Sequence, residues 1–316
     1  MSVKRRCWWA RKFCCDEEPS LSERSICSKL QVRYLKEEVI TRSSYRENIN
    51  KNLVSYRHGG DRLDSWILQL IGDYASQPCL IIDVGANLGK NTKAYVKRNK
   101  ACEIHAFEPI PDTYKMLMRN LEKDLATSLA LKTGRLNVHK IGVGGENEAV
   151  QVEATHGRSG SGSLLNKGSS KSSFEVRVET ISEFFKDYIG LILFIKIDAE
   201  GLDLQVIRGM ENLLAPKKVV SFIWEHHGSI FMNGNIGLAQ AEVQYVSSFG
   251  YHIYIAGSEK GNLKTLRVDG NNWRRFYEIQ GKGVWLAGVV DFFAIVAGHP
   301  FERVIHDTLI TPRCLE

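Results

Sequence analysis

The chain has 316 residues, of which 43% are hydrophobic and 25% are charged, and this composition excludes a disordered or fibrous protein. Most of its formal net charge of +6 lies in the first fifteen residues, which contain five basic residues and no acidic ones. The remainder of the chain is therefore close to neutral. Because phosphate binding needs clustered lysines and arginines, this distribution gives no strong signal for a nucleic-acid partner.

The N-terminal head, residues 1–15, combines basic, aromatic and cysteine side chains. Arg11 and Lys12 interrupt its apolar run, so we do not expect a secretory signal peptide. Its aromatic and basic side chains could meet an anionic membrane surface, and one of its cysteines could be acylated. The alternative is a loose terminal tail, which is the commoner behaviour of chain ends.

The chain contains seven cysteines, an odd number without regular spacing. This pattern does not predict a disulfide framework. It favours a reducing compartment instead. We therefore expect a cytoplasmic protein, in which the only candidate for peripheral membrane contact is the head at residues 1–15.

Strands and helices are predicted to alternate along the chain. The predicted helices have apolar residues at spacings of three and four, whereas the predicted strands are short apolar runs bounded by turn-forming or acidic residues. We expect residues 1–60 to be a polar extension and residues 61–316 to form one folded domain. In chain order, the elements are a helix at 63–74, a strand at 79–83, a helix at 90–97, a strand at 101–107, a helix capped by Asp112, a strand at 136–141, extended segments at 148–154 and 174–178, a strand at 191–197, a helix at 206–214, a strand at 219–224, a helix at 238–249, and strands at 251–255 and 292–296.

This alternation predicts an α/β fold, with a mostly parallel sheet that helices cover on both faces. In such sheets, ligands bind outside the carboxyl ends of the strands. We therefore expect the functional residues in the segments that directly follow the predicted strands. These segments are residues 83–89, Glu108, Gly142, residues 198–201 and residues 225–227.

The turn after the first predicted strand reads Asp-Val-Gly-Ala-Asn-Leu-Gly at residues 83–89. A dinucleotide-binding turn has a second glycine two positions after the first, where the backbone approaches the pyrophosphate. Here that position is Asn87, and Asp83 would repel a pyrophosphate. Both features favour S-adenosylmethionine over NAD, because S-adenosylmethionine has no phosphate and carries an ammonium and a sulfonium. A turn of this kind is a weak signal by itself.

Glu108 strengthens the interpretation of the turn. It follows the second predicted strand, where an acidic side chain can accept hydrogen bonds from both hydroxyls of a ribose. The alternative is a solvated surface glutamate. The turn and the acidic residue together favour a nucleoside-containing ligand.

Three segments resemble the FkbM-type S-adenosylmethionine-dependent methyltransferases, which are class I, Rossmann-like methyltransferases. They are Ile-Asp-Val-Gly-Ala-Asn-Leu-Gly at 82–89, Ala-Phe-Glu-Pro-Ile-Pro at 106–111 and Lys-Ile-Asp-Ala-Glu-Gly at 196–201. No segment is specific alone, but the combination is. The resemblance extends over roughly residues 63–297 and says nothing about the basic head.

The resemblance implies a seven-stranded sheet with an antiparallel hairpin near its C-terminal end. It also implies S-adenosylmethionine as the cofactor and methyl transfer, usually to a hydroxyl oxygen. The residues it assigns to the cofactor loop and the ribose are Asp83, Gly85, Asn87, Gly89 and Glu108. The neighbouring positions that we expect to complete the cofactor site are Ala86, Pro109 and Gly142.

Methyl transfer to a hydroxyl needs a group that takes or polarises the hydroxyl proton. Asp198 and Glu200 are two positions apart after a strand, so they would project to the same side if the strand geometry continued. Their alternative role is to favour the start of the helix that follows. The catalytic candidates are Asp198, Glu200, Glu225, His226 and the adjacent His227. Asp198 and Glu200 could also orient the acceptor or form a weak metal site, but the histidines and cysteines have no spacing typical of a zinc site, so we assign no metal ligands.

These inferences lead to an S-adenosylmethionine-dependent O-methyltransferase that acts on a small-molecule or glycosyl acceptor. Two alternatives stay open, namely methylation of RNA or protein, and a non-catalytic binding protein that keeps the fold. The near-neutral body disfavours RNA. The intact Gly85, Gly89 and Glu108 disfavour a site that has lost its cofactor.

Overall fold

A computed structural model of the protein describes residues 79–153, 173–226, 236–259, 262–268, 290–300 and 302. The predicted helix at 63–74, His227 and the N-terminal head lie outside these residues. Within the described part of the chain, no helix is long and apolar enough to cross a membrane.

The secondary structure alternates as predicted over most of the described chain. The strands are β1 (Cys79–Val84), β2 (Glu103–Phe107), β3 (Leu136–His139), β4 (Gly142–Val143), β5 (Glu148–Glu153), β6 (Ser173–Glu179), β7 (Leu191–Ile197), β8 (Val219–His226), β9 (Tyr251–Glu259), β10 (Asn262–Val268) and β11 (Val290–Val296). The helices are α1 (Lys90–Arg98), α2 (Pro111–Lys123), α3 (Leu125–Lys132), α4 (Ile181–Phe184), α5 (Asp203–Arg208), α6 (Glu211–Leu214) and α7 (Ile236–Ser248).

The main sheet has eight strands in the order β10-β9-β11-β8-β7-β1-β2-β3. The five strands β8, β7, β1, β2 and β3 are parallel to one another, whereas β11 is antiparallel to both β8 and β9. Strands β9 and β10 form an antiparallel hairpin at the edge. This topology confirms the predicted Rossmann-like, mostly parallel α/β sheet, but the predicted count of seven strands was one too low. The sequence analysis missed β10, whose residues 262–268 have no regular alternation of polar and apolar side chains.

Helices and two apolar layers cover both faces of the sheet. All six residues of β1 are buried, which is typical of a central parallel strand. Because side chains alternate along a strand, Leu80 and Ile82 pack in a layer with residues of α5, α6 and α7. Cys79 and Ile81 pack in the opposite layer with residues of α1, α2 and α3.

Three local predictions differ from the structure. Asp112 does not cap α2, because Ile110 occupies the capping position and Asp112 lies in the first turn, where its charge still favours the helix dipole. The single helix predicted at 206–214 is divided into α5 and α6 at Gly209. Helix α3 was not predicted, although Asp124 caps it by accepting hydrogen bonds from two backbone N–H groups.

A second, three-stranded sheet in the order β4-β6-β5 lies in the long connection between β3 and β7. Strand β4 pairs with β6 in parallel, and β5 pairs with β6 in an antiparallel arrangement. The extended segments at 148–154 and 174–178 predicted two of these strands, but not their pairing with β4. This small sheet brings Gly142 and Val143 beside the end of β6.

A disulfide joins Cys79 and Cys102, which are 23 positions apart. Cys79 begins β1, Cys102 directly precedes β2, and both are buried. The expectation of no disulfide was therefore wrong for this pair, because parallel strand pairing and not local spacing brings the two residues together. Disulfides persist mainly in oxidising compartments. The bond therefore weighs against the cytoplasmic location, which stays a prediction.

We expect loss of this disulfide to lower the free energy of unfolding by about 3 kcal/mol, because the bond restricts a loop of this size in the unfolded chain. Scanning fluorimetry of the oxidised protein, with and without a phosphine reductant, measures the effect. The control is the Cys79→Ala/Cys102→Ala double variant, whose melting temperature should be low under both conditions. A melting temperature of the oxidised wild-type protein equal to that of the double variant would contradict the expectation.

Candidate active site at the carboxyl ends of the parallel strands

A cleft lies at the carboxyl ends of β1, β2 and β7. Asp83, the fifth residue of β1, is fully buried and is not among the residues that line this cleft. Its Oδ2 accepts a hydrogen bond of 2.5 Å from the hydroxyl of Thr92 in α1. Its Oδ1 is buried without a hydrogen-bond partner among the described residues. Burial raises the pKa of Asp83, and the positive charge of Lys196 on the neighbouring strand opposes that rise. Thr92 was missed by the sequence analysis, because its polar contact joins a helix to a strand.

Two positions in the turn after β1 require glycine because other parts of the chain come very close to them. Gly85 has a φ of 75°, and a Cβ atom at this position would lie 2.0 Å from the carbonyl oxygen of Asp198. The N–H groups of Gly85 and Ala86 both donate to the carbonyl oxygen of Phe107, at 3.0 and 2.9 Å. Gly89 has a φ of 82°, and its Cβ would lie 2.7 Å from Leu117 Cδ1. Both glycines therefore permit close packing between chain segments.

Glu108 follows β2 and directs a largely buried carboxylate into the cleft. Its Oε2 accepts a hydrogen bond of 3.0 Å from the N–H of Asn87, and its Oε1 accepts one of 2.9 Å from the N–H of Ile110. Burial raises the pKa of Glu108 to about 7, and the charges of Asp83 and Asp198 add to the rise. The glutamate is therefore part of the built site, and the alternative of a solvated surface residue is wrong.

Asp198 and Glu200 lie in the turn that follows β7 and face the same cleft. Lys196 Nζ donates a hydrogen bond of 2.7 Å to Asp198 Oδ2. The strand ends at Ile197, and Glu200 has a φ of 52°. Alternation along a strand is therefore not what brings the two carboxylates together, although the sequence analysis gave that reason. A left-handed turn places Glu200 in the cleft instead.

Glu225 and His226 end β8 and are not among the residues that line this cleft. The N–H of Glu225 donates to Asp203 Oδ1 at 3.3 Å. Asp203 is buried, and the sequence analysis did not single it out. Burial raises the pKa of Asp203 to about 8, and the charges of Asp198 and Glu225 contribute to the rise.

The cleft contains a cavity of about 70 Å³, which is smaller than the roughly 300–1,000 Å³ usual for ligand sites. Three carboxylates line it, and none of the described residues in its wall is a lysine, arginine or histidine. The lining residues are Val84, Gly85, Asn87, Phe107, Glu108, Pro109, Ile110, Thr113, Ile141, Gly142, Val143, Asp198, Ala199 and Glu200. The structure thus brings together seven of the predicted site residues. Asp83, Ala86, Gly89, Glu225 and His226 lie outside the lining set.

No group of three or more His, Cys, Asp or Glu side chains within the described residues is arranged to hold a metal ion. Phe107, Ile141 and Val143 add an apolar part to the wall beside Glu108. The sequence analysis missed these three residues because an apolar residue near a strand end looks the same in sequence whether it lines a cleft or packs in the core. The arrangement offers apolar contact for a flat ring and carboxylates for hydroxyl and cationic groups.

Residues 83–253, more than half of the chain, match the sequence profile of the family described as the methyltransferase FkbM domain. The chain belongs to this family. The matched segment begins at Asp83, contains all the residues that line the cleft, and ends within β9. The resemblance found in the three sequence motifs is thereby confirmed.

Two curated relatives also match this FkbM-domain chain. The hexuronic acid methyltransferase AglP of Haloferax volcanii is 31% identical over 148 residues, which are 47% of this chain and 56% of that protein. Methyltransferase 1 of Beauveria bassiana is 22% identical over 152 residues, which are 42% of this chain and 58% of that protein. The chain thus spans between half and two thirds of the length of the curated relatives it matches.

One solved structure that aligns with the chain is the plantazolicin methyltransferase BpumL in complex with SAH, S-adenosylhomocysteine. The alignment covers 88% of this chain and 91% of that one, at 11% identity and a TM-score of 0.37. The family membership rests on the sequence match. The fold rests on the strand order described above.

Gly85→Ala should destabilise the protein by about 2 kcal/mol or more beyond the cost of a left-handed alanine, because its Cβ must displace the backbone of Asp198. The matched control is Gly134→Ala, where φ is 74° and no atom lies within 4 Å of the added Cβ. This control should cost only the ~1–2 kcal/mol of the left-handed conformation. Urea unfolding of both variants gives the two free energies, and equal losses would contradict the expectation.

Proposed function

We propose that this protein is an S-adenosylmethionine-dependent O-methyltransferase that acts on a hydroxyl of a small-molecule or glycosyl acceptor. The observation that carries the proposal is the charge of the cleft, whose described wall contains three carboxylates and no basic side chain. A dinucleotide would bring two phosphate charges into this acidic cleft. S-adenosylmethionine instead brings a sulfonium and an ammonium, and opposite charges attract strongly in a partly buried site.

The residues present fit this cofactor. The Glu108 carboxylate has the acceptor chemistry for the two ribose hydroxyls, and the apolar wall at Phe107 and Val143 suits the adenine ring. Gly85, Ala86, Asn87, Gly89, Pro109 and Gly142 form or support the surrounding turns. When bound, the cofactor would supply an electrophilic methyl group.

We assign binding of the methyl acceptor to the part of the cleft formed by the turn after β7. A sugar or alkyl hydroxyl is a weak nucleophile, so a nearby carboxylate must accept its proton as the methyl group is transferred. Asp198 and Glu200 supply carboxylates in the cleft wall. Lys196 holds Asp198 through a hydrogen bond and thereby fixes its orientation. Glu225 and His226 stay predictions for the acceptor side.

A sugar-type acceptor is supported by the activity for which one relative is named, a hexuronic acid methyltransferase. That relative matches over less than half of this chain, so a hexuronic acid is a proposal for this protein and the first acceptor class to test. The methyltransferase domain at residues 61–316 and the membrane contact of residues 1–15 also stay predictions.

Calorimetry with S-adenosylmethionine and S-adenosylhomocysteine tests the cofactor assignment. The wild-type chain should bind both ligands, and Glu108→Gln should weaken binding about tenfold or more, because a charge-assisted hydrogen bond to the ribose is lost. Glu103→Gln is the control, since Glu103 lies at the opposite end of β2 and its replacement should leave the affinity unchanged. Absence of binding by the wild-type chain would overturn the proposed function.

The same titrations should depend on pH. Ribose hydroxyls donate to the ionised carboxylate, so binding favours the charged form of Glu108. Because the pKa of Glu108 is raised to about 7, the affinity should be full above that pH and should fall as the pH drops through it. Glu108→Gln should lack this dependence. A wild-type affinity that stays constant down to the usual glutamate range would contradict the ribose role.

Transfer of a radiolabelled methyl group to a panel of hexuronic acids and neutral glycosides tests the chemistry. With any acceptor that the wild-type enzyme methylates, Asp198→Asn should lower turnover about a hundredfold, because general-base catalysis contributes roughly 10²–10⁴. Its affinity for S-adenosylhomocysteine should change far less than its turnover. The exposed Asp112→Asn on α2 is the control variant. Full turnover by Asp198→Asn would remove Asp198 from the mechanism.

A further inference from the structure

Asp203 connects the ends of two adjacent parallel strands. It is the first residue of α5, and its carboxyl is buried. Its Oδ2 accepts a hydrogen bond of 3.2 Å from the N–H of Gly201, in the turn after β7. Its Oδ1 accepts one of 3.3 Å from the N–H of Glu225, at the end of β8. A single carboxyl group therefore holds both strand ends in one arrangement.

The turn that Asp203 holds has an unfavourable backbone. Glu200 has a φ of 52°, and Gly201 follows with a φ of 99°. A non-glycine residue in the left-handed region costs roughly 1–2 kcal/mol, so this conformation depends on support from its surroundings. The same turn puts Ala199 and Glu200 in the wall of the cleft, beside Asp198.

Packing alone does not account for an acid at this position. Asp203 is only 4% exposed, and the next buried residues of α5, Val206 and Ile207, belong to an apolar layer. A carboxyl in such a place loses its hydration, and this loss is costly unless its oxygens find hydrogen-bond donors. The backbone N–H groups of Gly201 and Glu225 are those donors. These two hydrogen bonds explain why an acidic side chain occupies this buried position.

We propose that Asp203 is a positioning residue that fixes the turn at residues 198–201 against the end of β8, so that Asp198 and Glu200 meet the acceptor in a single geometry. This inference rests on the proposed methyl-transfer function. Asp203 does not line the cleft, so it acts through the backbone of its neighbours. A displacement of reacting groups by about 1 Å can cost roughly a hundredfold in rate, which makes such support consequential.

Two substitutions separate positioning from general stabilisation. Asp203→Leu keeps a side chain of comparable length and removes both hydrogen-bond acceptors, whereas Asp203→Asn keeps one carbonyl acceptor. Amide hydrogen exchange of the full chain, followed by mass spectrometry, reports on peptides that contain residues 198–202 and 223–226. Calorimetry with S-adenosylhomocysteine reports on the cofactor side independently.

In Asp203→Leu, exchange should accelerate about tenfold or more in both of these peptides and stay unchanged in peptides from β1 and β2. Asp203→Asn should accelerate exchange less, in keeping with its one remaining acceptor. The affinity for S-adenosylhomocysteine should stay within about threefold of wild type in both variants. With an acceptor from the methyl-transfer panel, kcat should fall while the KM for S-adenosylmethionine does not change.

The matched control is Glu302→Gln, which alters another buried carboxyl that accepts a backbone N–H, from Gly298 at 2.6 Å. It should leave exchange at 198–202 and 223–226 unchanged. The proposal is overturned if Asp203→Leu accelerates exchange evenly along the chain, if it leaves the two peptides unchanged, or if neither variant folds. If the wild-type chain fails to bind S-adenosylhomocysteine, the proposed function fails, while the exchange data still decide whether Asp203 holds the turn.

Discussion

The close contact between the turn after β1 and the turn after β7 is the constraint on which the site depends. The backbone of Gly85 passes so near the carbonyl of Asp198 that a side chain would not fit. The N–H of Asp198 in turn donates to the carbonyl of Val84 at 3.2 Å, and the N–H groups after Val84 bind the carbonyl of Phe107. Three parallel strands are therefore tied together where they end. The cofactor side and the acceptor side of the cleft share one backbone junction.

Buried carboxyl groups are concentrated around this junction. Burial raises the pKa values of Asp83, Glu108 and Asp203, and each of these carboxyls also responds to the charge of Asp198. Lys196 hydrogen-bonds to Asp198 and opposes the effect at Asp83. Burying several carboxyl groups together is costly, and Lys196 offsets part of that cost. The sulfonium of S-adenosylmethionine would relieve a further part of this cost. S-adenosylhomocysteine, whose sulfur is neutral, would relieve less.

The strand ends that build the site could be predicted from sequence, because glycine, acidic residues and short apolar runs mark them directly. Gly85, Asn87, Glu108 and Asp198 are predicted in this way to lie at one edge of the sheet. These residues all follow strands, and parallel strands end at the same edge.

Other features depend on contacts that sequence spacing does not reveal. The carboxyl of Asp203 reaches the backbone of Glu225, 22 positions away, and Thr92 reaches Asp83 across a turn. The Cys79–Cys102 bond follows from strand register, and β10 is recognised by its pairing with β9. In each case the contact joins residues that are distant in the chain, so the sequence around either residue does not predict it.

The small sheet has a geometric consequence for the segment between β5 and β6. Its antiparallel register pairs Glu148 with Val178 near the cleft and Glu153 with Ser173 at the far end. At about 3.4 Å per residue, the five steps along β6 carry the ends of that segment roughly 17 Å from the cleft edge. Glu153 and Ser173 therefore lie about a strand length from the other end of the small sheet, so we expect changes there to leave the junction of β1, β2 and β7 undisturbed.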